Sequence, residues 1–231
     1  MATDPAWMDE PGVGGEPGHW REDAQTRLLV LRIQRGEGDF AELYMRYFDR
    51  IYSYLRASLG HGADAEDVAQ QVFANAFGAL DGFDVDGASS FRGWLFVIAR
   101  NQLLKFVRGR GRVRVLAPDE LVGRIDREGS APDPAERVSR WALEAALARL
   151  PERQRQALVL RFTGDLRPAE IAQVLEITED AVKKAQRRGL DSLERHYAEP
   201  GAPRRVLRAQ MRRLDPCLPV LRARRLALLA V

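Results

Sequence analysis

The amino-acid sequence predicts an all-α protein with two small helical domains joined by a flexible linker. Apolar residues recur at helical spacing through two blocks of the chain, residues 24–112 and residues 136–197. Between them, residues 113–135 lose this periodicity and mix Gly and Pro with charged side chains, which is typical of a linker. A length of 231 residues with 45% hydrophobic content is enough to bury a core and suits one or two small domains.

The N-terminal segment and the hydropathy of the chain bear on its location. Residues 1–23 are rich in Gly, Pro and acid, which predicts a disordered tail. This segment lacks the apolar stretch of a secretory signal. No apolar run approaches the roughly 20 residues that span a bilayer. We therefore expect a cytoplasmic protein without stable membrane insertion.

The composition argues against several kinds of chemistry. A single cysteine, Cys217, and three dispersed histidines do not suit a disulfide framework or a metal cluster. The chain also offers no nucleophile arrangement and no phosphate-binding loop. We therefore expect no cofactor and no enzymatic activity. The net charge is only +3, so the clustering of the basic residues matters more than their number.

The first block begins with two amphipathic helices, separated at Gly36 and Gly38, and continues with a third helix that has two different faces. Its apolar side carries Val68, Val72, Phe73, Ala76 and Phe77. Its polar side carries Asp64, Asp67, Gln70, Gln71 and Asn75. Helix capping explains Asp64 but not the amides that continue the same side. This polar side is either solvated or a contact surface for a basic partner.

A fourth helix, opened by Ser89 and Ser90 as candidate caps, carries positive charge. No acidic residue occurs in residues 87–118, where the basic residues are Arg92, Arg100, Lys105, Arg108, Arg110, Arg112 and Arg114. Asn101, Lys105 and Arg108 have i, i+4, i+7 spacing and share one face. Because Arg and Lys neutralise phosphates and Asn can hydrogen-bond a base, this face predicts nucleic-acid contact. Trp94 is expected in the core, whereas Phe106 either packs there or stacks on an unpaired base.

The second block ends in two short helices with a tight turn between them. Pro168 suits the first position of one helix, and Thr178 suits the N-cap of the next. On the last helix the residues expected to face inward are Val182, Ala185, Gly189 and Leu193. The residues expected to face outward are Lys183, Lys184, Arg187 and Arg188. This pattern indicates either a helix-turn-helix that binds duplex DNA or an ordinary helical hairpin with a solvated basic face.

Residues 198–231 form a basic C-terminal extension in which Leu and Met alternate with arginines. Such a segment can bind a membrane surface, a partner protein or DNA, or it can pack back on the second domain. The sequence leaves these alternatives open.

Three segments together resemble a known family. They read DAEDVAQQVFANAF, FRGWLFVIARNQLLKFVRGRGR and LARLPERQRQALVLRFTGDLRPAEIAQVLEITEDAVKKAQRRGLDSL, in the order and at the separations found in bacterial sigma factors of the extracytoplasmic-function group. The resemblance covers about residues 25–197. It implies a promoter-recognition subunit with a region 2-like bundle and a region 4-like helix-turn-helix domain. Its partners would be promoter DNA, an anti-sigma factor, and RNA polymerase core through the clamp of the largest subunit and the flap of the second-largest.

The resemblance also implies site residues. Core polymerase would dock on Asp64, Asp67, Gln70, Gln71 and Asn75. The minus-ten element, as unpaired strand, would contact Arg100, Asn101, Lys105 and Arg108, and the loop 81–90 would form a pocket for a flipped base. The minus-thirty-five element would contact Thr178, Lys183, Lys184, Arg187 and Arg188.

The chain departs from the family pattern at three positions. Gln71 replaces a usual Glu, and Ala185 replaces an Arg that many relatives carry. Glu176 replaces a Gly in the turn of the helix-turn-helix, so we expect the turn to avoid the left-handed conformation. Two other functions remain open: a helix-turn-helix regulator that acts without polymerase, and a membrane-associated adaptor that uses the C-terminal extension.

Overall fold

The computed structural model describes residues 17–60, 62–109 and 146–197, and within these ranges it contains helices and turns but no strands. The predicted all-α class with two helical domains is confirmed. The α-helices are α1 Pro17–Gln34, α2 Phe40–Leu59, α3 Gly62–Ala79, α4 Phe91–Gly109, α5 Glu152–Phe162, α6 Pro168–Leu175 and α7 Glu179–Tyr197. We call α1–α4 the first domain and residues 146–197 the second domain. The predicted linker 113–135 and the C-terminal extension 198–231 lie outside the described residues.

The first domain is a bundle of four helices around an apolar and aromatic core. Helix α2 begins after Asp39, whose carboxylate accepts a hydrogen bond from the Ala41 amide at 2.8 Å. It ends at Gly60 in the left-handed conformation, φ 71°. The fully buried core residues from α2, α3 and α4 include Leu43, Ile51, Leu55, Val72, Ala76, Leu95, Phe96 and Ala99. Burying these sides leaves the polar sides of α3 and α4 facing outward.

Helix α1 begins earlier than the sequence analysis expected. Residues 17–23, assigned to a disordered tail, are helical from Pro17 onward. Proline suits the first position of a helix because its missing N–H would have no partner there. Tertiary ion pairs hold this end: Glu22 pairs with Arg50 of α2, and Asp23 lies 3.1 Å from the Arg167 guanidinium of the second domain. Sequence composition could not reveal these distant partners.

Three aromatic residues test the predicted core of this domain. Trp94 packs against Phe83 and Phe91, with ring centroids 5.0 Å and 5.4 Å away, so its predicted core position is confirmed. Phe106 is partly buried against the same core, which favours packing over stacking on a base. Phe77 was expected on the apolar side of α3, but its side chain is 62% exposed, so that expectation is wrong.

The second domain contains the predicted helix-turn-helix, formed by α6 and α7. Pro168 is the first residue of α6. At the start of α7 the Thr178 hydroxyl accepts a hydrogen bond from the Ala181 amide at 3.3 Å, as the N-cap prediction requires. The residues expected to face inward on α7 are all buried, namely Val182, Ala185, Gly189 and Leu193.

Glu176, which joins α6 to the turn, is left-handed with φ 56° and ψ 45°. The expectation that this turn would avoid the left-handed conformation is therefore wrong. The reason is the closing of α6: the Ile177 amide donates to the Ala172 carbonyl at 3.1 Å, and the Glu176 amide donates to the Gln173 carbonyl at 3.4 Å. These bonds satisfy the last carbonyls of the helix and require a left-handed residue at this position.

The two domains pack directly against each other, α4 against α6 and α2 against α5. One continuous apolar core includes Phe96 and Leu95 of α4 together with Leu160, Ile171 and Val174 of the second domain. Gly164 allows the close approach, since a Cβ there would lie 2.8 Å from an edge carbon of the Phe96 ring. The described residues therefore form a closed arrangement of the two domains.

Candidate functional site

Helix α3 presents a polar face formed by the residues predicted to bind a basic partner. Asp67, Gln70 and Gln71 are exposed, and Asp64 and Asn75 at the edges are partly exposed. The Gln71 amide donates to the Asn75 side-chain oxygen at 3.2 Å, which orders this part of the face. The opposite side of the helix is buried. The structure thus places all five residues on one outward side of a well-anchored helix.

Helix α4 brings together three of the four residues predicted to contact the minus-ten element. Asn101, Lys105 and Arg108 are exposed and follow one side of the helix toward its C-terminus. Arg100 differs, because its side chain is only 19% exposed and its guanidinium lies 3.2 Å from the Glu176 carboxylate of the second domain. In the closed arrangement Arg100 therefore belongs to the domain interface.

A cavity of about 620 Å³ lies between α1 and the loop that precedes α4. Its volume falls within the range of small-ligand sites, roughly 300–1,000 Å³. The lining includes Phe83, Val85, Ser89 and Ser90 from the loop. Sequence reasoning identified only the loop and missed the wall that α1 supplies, with Thr26, Arg27, Leu28 and Leu31. Leu28 of this wall is a large apolar residue that is 64% exposed.

Helix α7 presents the basic face predicted to read duplex DNA. Lys183, Lys184, Arg187 and Arg188 are all exposed on it. The Lys183 ammonium lies 3.1 Å from the Glu179 carboxylate one turn earlier, an i, i+4 pair on an exposed surface. Thr178 caps the start of the same helix. The structure therefore brings these five residues together on one helix.

Arg92, counted in the basic run of α4, is buried and cannot contact nucleic acid in this arrangement. Its side chain is 0% exposed and lies 3.2 Å from Glu170 of α6. Asp23 and Glu22 of α1 approach the same guanidinium at 3.7 Å and 3.9 Å. Sequence reasoning missed this cluster because Arg92 and Glu170 are 78 residues apart in the chain and the other two carboxylates come from a third helix.

The buried cluster shifts the pKa values of its carboxyl groups in opposite directions. Burial raises the pKa of Glu170, but Arg92, the Ser90 hydroxyl and Arg167 outweigh burial and hold that pKa below its ordinary value. Burial also raises the pKa of Asp23, and there Arg92 and Arg167 do not fully compensate. These partners therefore stabilise Glu170 in its ionised form.

The described part of the chain has neither a metal-binding cluster nor a helix that could cross a membrane. No group of three His, Cys, Asp or Glu residues in these ranges is arranged to hold a metal ion. Among the described helices, none combines the length and hydropathy needed to cross a bilayer.

The chain matches two family models. A model of sigma-70 region 2 matches residues 43–113, which include α3 and α4. A model of sigma-70 region 4 matches residues 140–193, which include the helix-turn-helix.

Curated relatives agree with these matches. The chain is 35% identical over 177 residues to the ECF RNA polymerase sigma factor BldN of Streptomyces coelicolor, covering 75% of this chain and 66% of BldN. It is 32% identical over 179 residues to the ECF RNA polymerase sigma factor RpoE of Cereibacter sphaeroides, covering 77% of this chain and 97% of RpoE.

Solved structures share the fold. CnrH, solved in complex with the cytosolic domain of CnrY, superposes with a TM-score of 0.54 at 26% identity, covering 73% of this chain and 94% of CnrH. The sigma factor RpoE of Bartonella quintana, solved with the anti-sigma factor NepR, gives a TM-score of 0.52 at 21% identity and supports the fold alone. The chain belongs to the extracytoplasmic-function family of RNA polymerase sigma factors.

Proposed function

We propose that this sigma factor binds core RNA polymerase through the polar face of α3 and directs transcription initiation at a specific set of promoters. The observation that carries the proposal is the pairing of two exposed faces of different chemistry in the first domain. Helix α3 offers carboxylates and amides, and helix α4 offers Asn101, Lys105 and Arg108. The first face suits a basic protein surface such as the clamp helices, and the second suits unpaired DNA.

Promoter melting fits this arrangement. Extruding a base costs a few kcal/mol, which contacts to the exposed base and to its phosphates must offset. The Lys105 and Arg108 side chains would neutralise phosphates of the non-template strand, and Asn101 would contact a base. The cavity between α1 and the loop 83–90 would receive a flipped base, since it combines apolar walls with the hydroxyls of Ser89 and Ser90.

The second domain would read the minus-thirty-five element as duplex. Helix α7 would enter the major groove with Lys184, Arg187 and Arg188 directed at phosphates and base edges. The same domain would contact the flap of polymerase. The protein would act in the cytoplasm and catalyse no chemistry itself, because polymerase forms the phosphodiester bonds. CnrH, which is 26% identical to this chain, was solved in complex with the cytosolic domain of CnrY, and this supports a protein partner such as an anti-sigma factor for this chain.

The docking assignment is tested with a charge-reversing double variant, Asp67→Lys with Gln70→Lys. Purified core polymerase is expected to lose binding to this variant, because two positive charges then face a basic partner surface. Glu37→Lys is the matched control, since Glu37 is also exposed but lies in the turn between α1 and α2. Normal binding of the double variant, with its helical content intact, would show that α3 is not the docking face.

The alternative function, a regulator that binds duplex DNA without polymerase, makes a different prediction. Such a protein binds its operator tightly as the isolated chain. We instead expect specific promoter binding only after core polymerase is added. Footprinting of one promoter with and without core distinguishes the two functions.

A further inference from the structure

The cavity between α1 and the loop that precedes α4 has an apolar wall that is open to solvent. Leu28 of α1 is 64% exposed, although its neighbours Leu29 and Val30 are buried in the core. Phe83 and Val85 of the loop line the same cavity, whose volume of about 620 Å³ leaves room for several aliphatic side chains. An exposed apolar surface beside a cavity of this size is typical of a binding site.

The loop that lines this cavity carries negative charge. Its carboxylates Asp81, Asp84 and Asp86 are all exposed, and the loop contains no basic residue. Arg27 of α1 pairs with Asp86. Within the described part of the chain, no cation pairs with Asp81 or Asp84. The apolar cavity is therefore bordered by two carboxylates that are available to a basic ligand.

One segment of this chain has the complementary chemistry. Residues 204–214 of the C-terminal extension read RRVLRAQMRRL, with five arginines and no acidic residue. Leu207, Met211 and Leu214 are spaced i, i+4, i+7, which would place the three side chains on one side of a helix. An apolar stripe bordered by arginines matches an apolar cavity bordered by carboxylates in both hydrophobicity and charge.

The segment is also long enough to reach the cavity. Ser90, which lines the cavity, donates a hydrogen bond to Glu170 of the second domain, so the cavity borders the domain from which the extension continues. Ten residues separate Tyr197, the last described residue, from Leu207. An extended chain of this length spans roughly 33 Å. A compact protein of the described size is only about 40 Å across.

We propose that residues 204–214 bind in this cavity of the free sigma factor. The apolar stripe of the segment lies against Leu28 and the loop, and its arginines lie beside Asp81 and Asp84. Because the segment is tethered to its own cavity, its effective concentration there is in the millimolar range, which favours it over the extension of a second copy. The inference rests on the proposed function for its consequence, which is that the extension competes with the flipped base for one cavity.

Cys217, the single cysteine of the chain, gives a native position for testing this contact. It lies three residues after Leu214, which is roughly 10 Å of extended chain. A benzophenone attached to the Cys217 thiol of the full-length protein is irradiated, and the products are mapped by mass spectrometry. We expect cross-links to residues 24–31 and 83–90, which include the cavity walls.

A mixture of unlabelled and isotope-labelled chains distinguishes cross-links within one chain from those between two copies. We expect the cavity cross-links to form within one chain. Cross-links confined to the second domain, or cavity cross-links that form only between copies, would overturn the proposal.

The apolar part of the contact is tested with Leu28→Asp, which should fold because the Leu28 side chain is already 64% exposed. We expect the ratio of docked to undocked extension to fall about tenfold, and the cross-link yield to fall with it. Met45→Asp is the matched control, since Met45 is a large exposed apolar residue of α2 that does not line the cavity. Equal yields for Leu28→Asp and the wild type would refute the docking site.

The charged part of the contact is tested with the double variant Asp81→Asn with Asp84→Asn, which keeps the shapes of both side chains. We expect the cross-link yield to fall about threefold at low salt and the difference from the wild type to disappear at high salt. Glu42→Gln with Asp180→Asn is the control, because it removes two exposed negative charges away from the cavity lining. An equal fall in both double variants would mean that the loop carboxylates form no specific contact.

Transcription initiation separates this inference from the proposed function. Leu207→Asp with Met211→Asp removes the apolar stripe and changes none of the described residues. We expect this variant to lose the cavity cross-links and to form open promoter complexes faster than the wild type in the holoenzyme. If the cross-links are lost and open complexes form at the wild-type rate, the extension does not compete with the base and the proposal fails. If no chain binds core polymerase, the proposed function fails, and the cross-links of the free chain still decide the docking.

Discussion

Phe77 of α3 packs edge-on against Phe40 of α2, with ring centroids 5.2 Å apart and ring planes at 71°, although the Phe77 side chain is 62% exposed. An edge-to-face pair adds about 0.5–1.5 kcal/mol to stability. Phe77 also lies on the same side of α3 as Gln70, because a spacing of seven residues is close to two helical turns. The pair therefore places an apolar surface at the end of the proposed docking face.

We predict that Phe77→Ala lowers the free energy of unfolding by about 1 kcal/mol and weakens binding to core polymerase. Urea unfolding and a binding titration measure the two effects. Phe40→Ala is the comparison: it removes the same ring pair, but Phe40 lies on α2. Equal losses of polymerase affinity in the two variants would mean that the ring pair acts only through stability.

A second prediction concerns two buried tyrosines of α2 that differ in their hydrogen bonds. Tyr47 shares a hydrogen bond with the Thr26 hydroxyl at 2.9 Å. The Tyr54 hydroxyl is fully buried and has no partner among the described residues, and burial raises its pKa. An unsatisfied buried polar group costs about 1–3 kcal/mol.

We therefore expect Tyr54→Phe to raise the melting temperature and Tyr47→Phe to lower it. Removing the Tyr54 hydroxyl relieves a desolvation cost, whereas removing the Tyr47 hydroxyl leaves Thr26 without that bond. Differential scanning calorimetry of both variants measures the signs. A fall in the melting temperature of Tyr54→Phe would reveal a hydrogen-bond partner for its hydroxyl.

A third prediction follows from the left-handed backbone of Glu176. Residues other than Gly pay roughly 1 kcal/mol for this conformation. The ion pair with Arg100 offsets little of that cost, because the Glu176 side chain is 78% exposed. Glu176→Gly should thus stabilise the second domain by about 1 kcal/mol. Glu176→Ala is the control, since it loses the same ion pair but keeps the strain, and thermal unfolding should rank it below the wild type.

These residues show which features local sequence can predict. The caps Ser90 and Thr178 were predictable because each bonds an amide three residues away: Ser90 accepts from Gly93 at 3.0 Å, and Thr178 accepts from Ala181 at 3.3 Å. The inward side of α7 was predictable because helical periodicity alone defines it. The polar faces of α3, α4 and α7 followed from the same periodicity.

Features that depend on distant contacts were not predictable. Arg92 lay in a basic run, and only its contacts with α1 and α6 show that it is buried. Glu176 appeared unsuited to a left-handed turn, yet the hydrogen bonds that close α6 impose one. The packing of the two domains against each other had no signal in either block alone, because it joins residues about 80 positions apart.

A fourth prediction concerns the pH dependence of stability. Burial raises the pKa of Glu170, but Arg92 of α4, Ser90 and Arg167 more than reverse the effect, so its pKa in the folded protein lies below the ordinary 4.5. Its stabilising contribution is therefore complete above pH 4.5 and is lost as the pH falls through the lowered pKa. Asp23 of α1, which faces the same arginines together with Glu22, has a pKa raised above the ordinary 3.8. The charge of Asp23 costs stability at neutral pH, and this cost disappears as the pH falls through the raised pKa.

Urea unfolding of Glu170→Gln and Asp23→Asn between pH 7 and pH 3 measures the two contributions. The stability lost in Glu170→Gln should be constant near neutral pH and shrink below about pH 4.5. Asp23→Asn should show the opposite pH dependence. The stability of this variant should rise relative to that of the wild type as the pH rises. Parallel curves for the wild type and Glu170→Gln across this range would contradict the assignment of Glu170 as an ionised interface residue.

The last prediction concerns the salt dependence of promoter binding by the holoenzyme. Each phosphate neutralised by Lys or Arg on duplex DNA contributes about 0.9 to the slope of log K against log salt. Lys184 lies on the exposed face of α7, so Lys184→Ala should lower that slope by about 1 and weaken binding to all promoter sequences similarly. Lys183 is paired with Glu179 at 3.1 Å, so Lys183→Ala should lower the slope by less.

Arg195→Ala is the control, since Arg195 is exposed two turns beyond the proposed contact face. If Arg195→Ala changed the slope as much as Lys184→Ala, the basic residues of α7 would act only through their total charge. That result would contradict the proposed contact face on this helix.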